Sequence, residues 1–308
     1  MDLAQQQEHI VQLQEGSFLI DTDLKEQDLN KILMERLQNL LEAKPLTKAL
    51  VISGSDFAAQ RLKILMSRSN FFRRIDNRDR YEVHGLTFFC WNMIRVHCED
   101  AGVHSDVALC ATEQDRLTIL RDAIILDDEL ATYFAQSPNQ ETLLKDWAQA
   151  IAHCKNNGLD PATYRDTKLF PQIYYKYQKQ LEEHHAVDKE DAIIFGIKTL
   201  ENNSMIRYLY NGVYEFVIVL EAQYLTQLQY QFLKTMCLGE TKNLMMVGDL
   251  SCPIFGINDG NSKFMAQDFV ADFNPVIYHL TKSKKHSLFN TQNNDNSQPS
   301  SFNAVNFA

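Results

Sequence analysis

Four short apolar runs separated by helical patterns limit this chain more than any other feature. Phe18-Leu19-Ile20, Ala49-Leu50-Val51-Ile52, Phe216-Val217-Ile218-Val219-Leu220 and Leu244-Met245-Met246-Val247 have the length and β-branched content of strands buried on both faces. Between the first two, Leu29, Ile32, Leu33, Leu37, Leu40 and Leu41 recur at three- and four-residue spacings, and a second such segment covers Ala58 to Met66. Strand, helix, strand, helix predicts a parallel sheet covered by helices on both sides. From about Met93 to His184 no strand is predicted. Helical patterns fill that stretch over Gln114–Tyr133, Glu141–Lys155 and Leu169–Glu183, which reads as a helical subdomain inserted between strands. Asp188 is placed to cap the helix that carries Ile193, Ile194, Ile197 and Leu200. Asn290 to Asn306, rich in Asn, Ser and Gln, is too poor in apolar residues to fold alone, so 282–308 is expected to be a disordered tail.

Charge and cysteine content narrow the class. The chain has 30 Lys+Arg against 40 Asp+Glu, a formal charge of −10, so nucleic-acid contact would have to come from a local patch. One candidate is Met66 to Arg80, where Arg68, Arg73, Arg74, Arg78 and Arg80 surround Phe71 and Phe72, cations for phosphates beside rings for bases. The same composition also suits an ordinary cationic surface loop. Six scattered cysteines without CxxC spacing fit reduced thiols rather than a disulfide frame or a zinc site, and no metal site is expected. The adjacent pairs His184-His185 and His97-Cys98 point apart on a helix and do not chelate one ion alone. No apolar stretch is long enough for a membrane span and the Gln/Glu-rich start lacks a signal peptide's pattern, so an intracellular, soluble protein is expected, cytoplasmic or nuclear.

Taken in order, several segments resemble the N-terminal half of the UvrD/Rep/PcrA-type superfamily 1 DNA helicases. LAQQQEHIV (Leu3–Val11) is similar to that family's glutamine motif, with Gln7 on the glutamine that recognises adenine. ALVISGSDFAA (Ala49–Ala59) falls on the motif that follows the second strand, and GLTFFCWNMIR (Gly85–Arg95) on the TFHS segment. The stretch IYYKYQKQLEEHHAVDKEDAI (Ile173–Ile193) resembles YxxYQxxLxxxxxLDFDDLL most closely. VLEAQYLTQLQY (Val219–Tyr230) sits on VDEFQDTNPLQY, and VGDLSCPIFGINDG (Val247–Gly260) on VGDDDQSIYGFRGA. The resemblance implies a RecA-like α/β domain built from residues 1–95 and 185–281, with an all-helical insertion over 96–184, ending before a second RecA-like domain.

The same alignment implies a nucleotide site whose residues have changed. A phosphate-binding loop needs glycines so that backbone N–H groups can wrap the phosphates, a lysine for the β/γ-phosphates and a hydroxyl for Mg²⁺. Here Leu24-Lys25-Glu26-Gln27-Asp28-Leu29-Asn30 stand on that loop, with Leu29 on the lysine, Asn30 on the hydroxyl, and Glu26 and Asp28 bringing two negative charges. Leu220 replaces the Mg²⁺-anchoring aspartate, while Glu221 and Gln223 keep the positions of the catalytic glutamate and its neighbouring glutamine. Cys252 stands on the glutamine that senses the γ-phosphate. On the strand-binding side, Ser53, Ser55 and Phe255 occupy places that touch DNA in the family, with Arg73 and Arg74 as further candidates. The reading is a degenerate helicase homologue without ATPase activity, a DNA- or protein-binding module in replication or repair. Its partners would be single-stranded DNA or a replication or repair protein, with no membrane and no cofactor. The alternative is an active ATP-dependent helicase, or its motor half completed by another subunit, which alone would require ATP and Mg²⁺. A fragment that keeps the fold without a role is the third reading.

Overall fold

The computed structural model describes residues 3–13, 15–164, 169–237, 243–252 and 259–280. Phe255 and the 282–308 tail lie outside them. In chain order the elements begin with α1 (Leu3–Gln12), β1 (Phe18–Thr22), α2 (Glu26–Ala43), β2 (Ala49–Ser53) and α3 (Asp56–Arg68). The short α4 (Asn70–Arg73) and α5 (Ile75–Arg78) lead to β3 (Tyr81–Gly85), α6 (Leu86–Val96), α7 (Cys98–Ala101) and β4 (Ala108–Cys110). Five helices follow, α8 (Glu113–Ile125), α9 (Asp128–Gln136), α10 (Gln140–Asn157), α11 (Pro161–Tyr164) and α12 (Leu169–Glu183). The chain then runs through β5 (Ala186–Asp188), α13 (Lys189–Asn202), α14 (Ser204–Val213), β6 (Phe216–Leu220), α15 (Gln227–Cys237), β7 (Leu244–Gly248), α16 (Phe269–Phe273) and β8 (Val276–Leu280).

The main sheet has six strands in the order β3-β2-β6-β7-β1-β8, and every pairing in it is parallel. All strand carboxyl ends therefore share one edge of the sheet. Register fixes which residues meet there: Ser53 lies beside Leu220 and Gly85, and Asp21 beside Gly248 and His279. Alternation along each strand divides the core. Leu19, Leu50, Ile52, Val217, Val219 and Met246 face α6, α13 and α15, while Ile20, Val51, Ile218, Leu220, Met245 and Val247 face α2 and α3.

The four apolar runs are β1, β2, β6 and β7, and the expected parallel α/β class holds. Two strands of the main sheet were not foreseen. β3 and β8 are its edges, and their sequences YEVHG and VIYHL mix polar with apolar residues because one side of each lacks a neighbour. Nor do strands vanish between Met93 and His184: β4 pairs in parallel with β5 to form a separate two-stranded sheet. The helices α8, α9, α10 and α12 close around their own core of Leu120, Leu130, Leu144, Trp147, Ile173 and Tyr177. The foreseen Asp188 cap is present, its Oδ1 accepting from Asp191 N–H at 2.8 Å.

Beneath that cap lies a charge network sealed from water. Lys155 Nζ contacts Asp188 at 2.6 Å and Asp191 at 2.7 Å, with the Lys155 and Asp188 side chains fully buried. Tyr177 donates its hydroxyl to Asp188 at 3.1 Å. Burial and the neighbouring Asp188 charge push the Asp191 carboxyl up to about 6. The flanking lysine and Arg116 hold Asp188 itself down despite its burial.

Candidate functional site

The carboxyl edge of the sheet brings together most of the residues singled out in the sequence. After β1, Thr22 Oγ1 donates to Leu280 C=O at 2.9 Å and accepts from Leu24 N–H at 3.1 Å, which ties the loop to edge strand β8. The helix α2 then starts at Glu26, with Lys25 as an N-cap that makes no side-chain hydrogen bond. A helix start carries free N–H groups and partial positive charge. Here the first turn supplies its own anions, Glu26 and Asp28. Glu26 is further claimed by Arg61 from α3, an ion pair between the two helices. Asn30, which is buried, reaches back to Glu26 Oε1 at 3.5 Å.

Apolar side chains pack around this helix start. Leu24 and Leu220 are buried in the cluster shared by α2 and α3, and Leu29 packs against it. Gln7 lies half-buried on α1, which packs on α2 and touches β8.

At the end of β6, Glu221 adopts a left-handed backbone with φ 52°. For a residue with a Cβ this conformation costs about 1–2 kcal/mol. Its carboxylate accepts from Ser53 Oγ at 3.5 Å. Burial, and then the nearby Glu26 carboxylate, raise the Glu221 pKa, against the pull of Ser53 and Arg61. Gln223 is buried two residues on, and its Oε1 accepts from Asp249 N–H at 3.2 Å. This clamps the turn after β6 to the end of β7. Cys252 sits half-exposed with its thiol 3.1 Å from the Tyr224 hydroxyl.

The proposed strand-binding residues separate. Ser53 is fully buried, and its hydroxyl accepts from Ser55 N–H at 3.1 Å while facing Glu221, which makes it a joint between strand ends. Ser55 caps α3, its hydroxyl accepting from Ala58 N–H at 3.4 Å. It also lines a cleft of about 890 Å³ between the sheet edge and the helical block, together with Asp56, Thr87, Arg116, His153 and Lys189. His153 on α10 contacts Asp259 Oδ1 across that cleft.

Arg73 and Arg74 follow the far end of α3, whose 13 residues span about 20 Å from the cap at Ser55. The rings expected to offer stacking there turn inward. Phe72 is buried, packing edge-on against Phe71 and Tyr81, and Phe71 is half-buried against the same core. Arg80 is likewise structural, donating to Lys44 C=O at 2.8 Å and to Leu41 C=O.

Sequence reasoning missed Arg61, the partner of Glu26. The available signal was an acidic first turn in α2 beside a helix that carries Arg61, Lys63 and Arg68 against the single acid Asp56. Among the described residues, no group of three or more His, Cys, Asp or Glu is placed to hold a metal ion, and no helix is long and apolar enough to cross a membrane.

Comparison with known proteins adds kinship to this geometry. The UvrD/REP helicase N-terminal domain matches residues 30–274. An ATP-dependent DNA helicase PcrA of Staphylococcus aureus is 24% identical over 239 residues, covering 73% of this chain and 30% of that protein. A protein of Mycoplasma capricolum named "Probable DNA helicase II homolog" is 26% identical over 168 residues, covering 53% of this chain and 23% of its own length. The chain thus spans less than a third of the length of the curated relatives it matches.

Proposed function

This chain belongs to the UvrD/REP helicase N-terminal domain family, and from that premise we propose that it is a member without ATPase activity, a DNA- or protein-binding module of replication or repair. The observation that carries this reading is the Glu26–Arg61 pair at the start of α2. A triphosphate held there would need N–H groups and a lysine. It would meet instead the Glu26 and Asp28 carboxylates and the aliphatic side chain of Leu29. Like charges a few ångströms apart repel by roughly 1–4 kcal/mol per pair.

A magnesium–nucleotide does not fit this set of residues. Leu220 points into the core shared with α2, so it offers no oxygen to a hydrated cation. Glu221 could act only as an isolated base. Its hydrogen bond to Ser53 and its burial account for it as the joint between β2 and β6. Gln223 is committed to Asp249 N–H. Within this reading, residues 1–95 and 185–281 form the RecA-like domain and 96–184 the insertion that walls the cleft.

Titration with a fluorescent ATP analogue and Mg²⁺, alongside an assay for phosphate release, tests the reading. No saturable binding below millimolar analogue and no release above background are expected. Micromolar binding or steady release would overturn it in favour of a working motor domain.

A further inference from the structure

From Phe57 to Ile75 the sequence places Arg61, Lys63, Arg68, Arg73 and Arg74 with no acidic residue, in a chain whose formal charge is −10. Arg61 is taken by Glu26. The remaining four, with Arg78, are exposed along the second half of α3, on α4 and α5 and at the joint between those two. Among the described residues the acid nearest to pairing with them is Asp76, 3.9 Å from Arg74, and both side chains are largely in water, 68% and 81% exposed. Such a contact contributes little. The corner therefore keeps most of its positive charge.

The segment under these cations is built to hold its shape. Buried Asn77 donates to Phe71 C=O at 2.8 Å, Tyr81 donates its hydroxyl to Phe72 C=O at 3.2 Å, and Arg80 joins the segment to Lys44 C=O. Arg78 Nε donates to Arg73 C=O at 3.2 Å, which keeps the two arginines together. Guanidinium groups fixed on a firm base lose less freedom on meeting an anion than they would on a mobile loop.

We propose that this corner, formed by Lys63, Arg68, Arg73, Arg74 and Arg78, docks the phosphate backbone of nucleic acid without reading its sequence. Planar guanidinium forks suit phosphate oxygens. Phe71 and Phe72 are turned into the core and do not offer their rings to a base. The exposed apolar side chains beside these cations are Ile64 at 43% and Ile75 at 81%, set apart in sequence by Arg68, Arg73 and Arg74. A membrane anchor would need a broad apolar face beside its cations. The proposal rests on the reading of the domain as a binding module and adds its surface. Arg68 stands about 10 Å along α3 from Arg61, the partner of Glu26, and Arg73, Arg74 and Arg78 follow it in the chain, so docking on these four does not use the Glu26 pair.

The test measures anisotropy of a labelled oligonucleotide, single-stranded and duplex, against the full chain over a range of salt, with anionic phosphatidylserine vesicles in parallel. Phosphate contacts from all five cations give a log–log salt slope of about −3.5 to −4.5. The Arg73→Ala/Arg74→Ala variant is expected to lose about tenfold in affinity and to flatten the slope by about 1 to 2. Arg73→Lys/Arg74→Lys should keep most of the slope, and Arg121→Ala, on α8, should change neither. Both arginines are exposed, so unchanged circular dichroism and melting temperature are expected in each variant. Absence of oligonucleotide binding, binding indifferent to the double alanine variant, or a preference for the vesicles overturns the proposal. ATP-analogue binding in the same samples would overturn the nucleotide-free reading alone, so the two failures are distinguishable.

Discussion

Arg61 on α3 and Glu26 in the first turn of α2 form an ion pair that joins the two helices covering one face of the sheet. The side chains are 46% and 38% exposed, so water screens the pair. Its consequence is occupancy: a carboxylate and its own counterion already sit where a helix start would receive an anion.

Arg61→Ala is therefore expected to change stability by less than about 1 kcal/mol. It should create no affinity for ATP, because Glu26, Asp28 and Leu29 remain. Urea denaturation and analogue titration of the same variant check both halves. A gain of micromolar nucleotide binding would show that Arg61, rather than the loop, closes the site.

Glu221 holds a left-handed backbone that glycine adopts freely. Glu221→Gly should stabilise the fold by about 0.5–1 kcal/mol, whereas Glu221→Ala keeps the strain and should not. Melting temperatures of the two variants, compared with the parent, decide it. Equal destabilisation by both would mean that the Ser53 hydrogen bond outweighs the backbone term.

The same carboxyl sets a pH dependence. Burial, with Glu26 behind it, raises the Glu221 pKa, so the folded state holds this proton more tightly than the unfolded chain. The associated stability is full below the ordinary glutamate range near about 4.3 and is lost as pH rises through the folded value. Glu221→Gln should match the parent in acid and exceed it at neutral pH. Denaturation midpoints across that range test the sign, and a variant weaker at neutral pH would reverse it.

Lys155 has no water to fall back on. Lys155→Met would leave Asp188 and Asp191 facing each other with only Arg116 nearby to offset their charge, at a cost of about 3–5 kcal/mol. Chemical denaturation should show the shift, with Asp191→Asn partly restoring stability in the double variant. A loss below about 1 kcal/mol would mean that the network is open to solvent.

Gly248 ends β7 directly against Gln223. A Cβ there would overlap Gln223 Oε1 and lie 3.0 Å from both Gln223 N and Met265 Sδ. Gly248→Ala should cost roughly 1–3 kcal/mol by forcing the turn after β6 away from β7. Loss of protection at Asp249 N–H in hydrogen exchange would locate the damage, since that group donates to Gln223.

Which strands were legible follows from where they lie. β2, β6 and β7 are buried along their whole length, so selection for apolar residues writes them as unbroken runs. β3 and β8 at the edges spend residues on other tasks. Glu82 pairs with Lys48 at 2.5 Å, and His279 meets Asp21 at 3.0 Å. Three-residue strands such as β4 and β5 are too short for any period to show.

The candidate site was legible in its residue types and not in its contacts. Glu26, Asp28, Leu29 and Leu220 could be read as poor ligands for phosphate because that follows from what each side chain is. That Arg61 would answer Glu26 could not, since the two sit on different helices and meet only through the packing of α2 and α3 on one face. The Phe71-Phe72 pair looks the same in sequence whether its rings stack bases or fill the core.

The sequence by itself determined the parallel sheet, the capped helix after Asp188 and the charges carried by the first turn of α2, because apolar period, capping chemistry and side-chain type are local properties. Only the tertiary structure decided which charges meet. It set Arg61 against Glu26, sealed Lys155 between two aspartates, and carried Arg73 and Arg74 to the far end of α3. Distance between side chains depends on how helices pack across the sheet, and no local pattern encodes it.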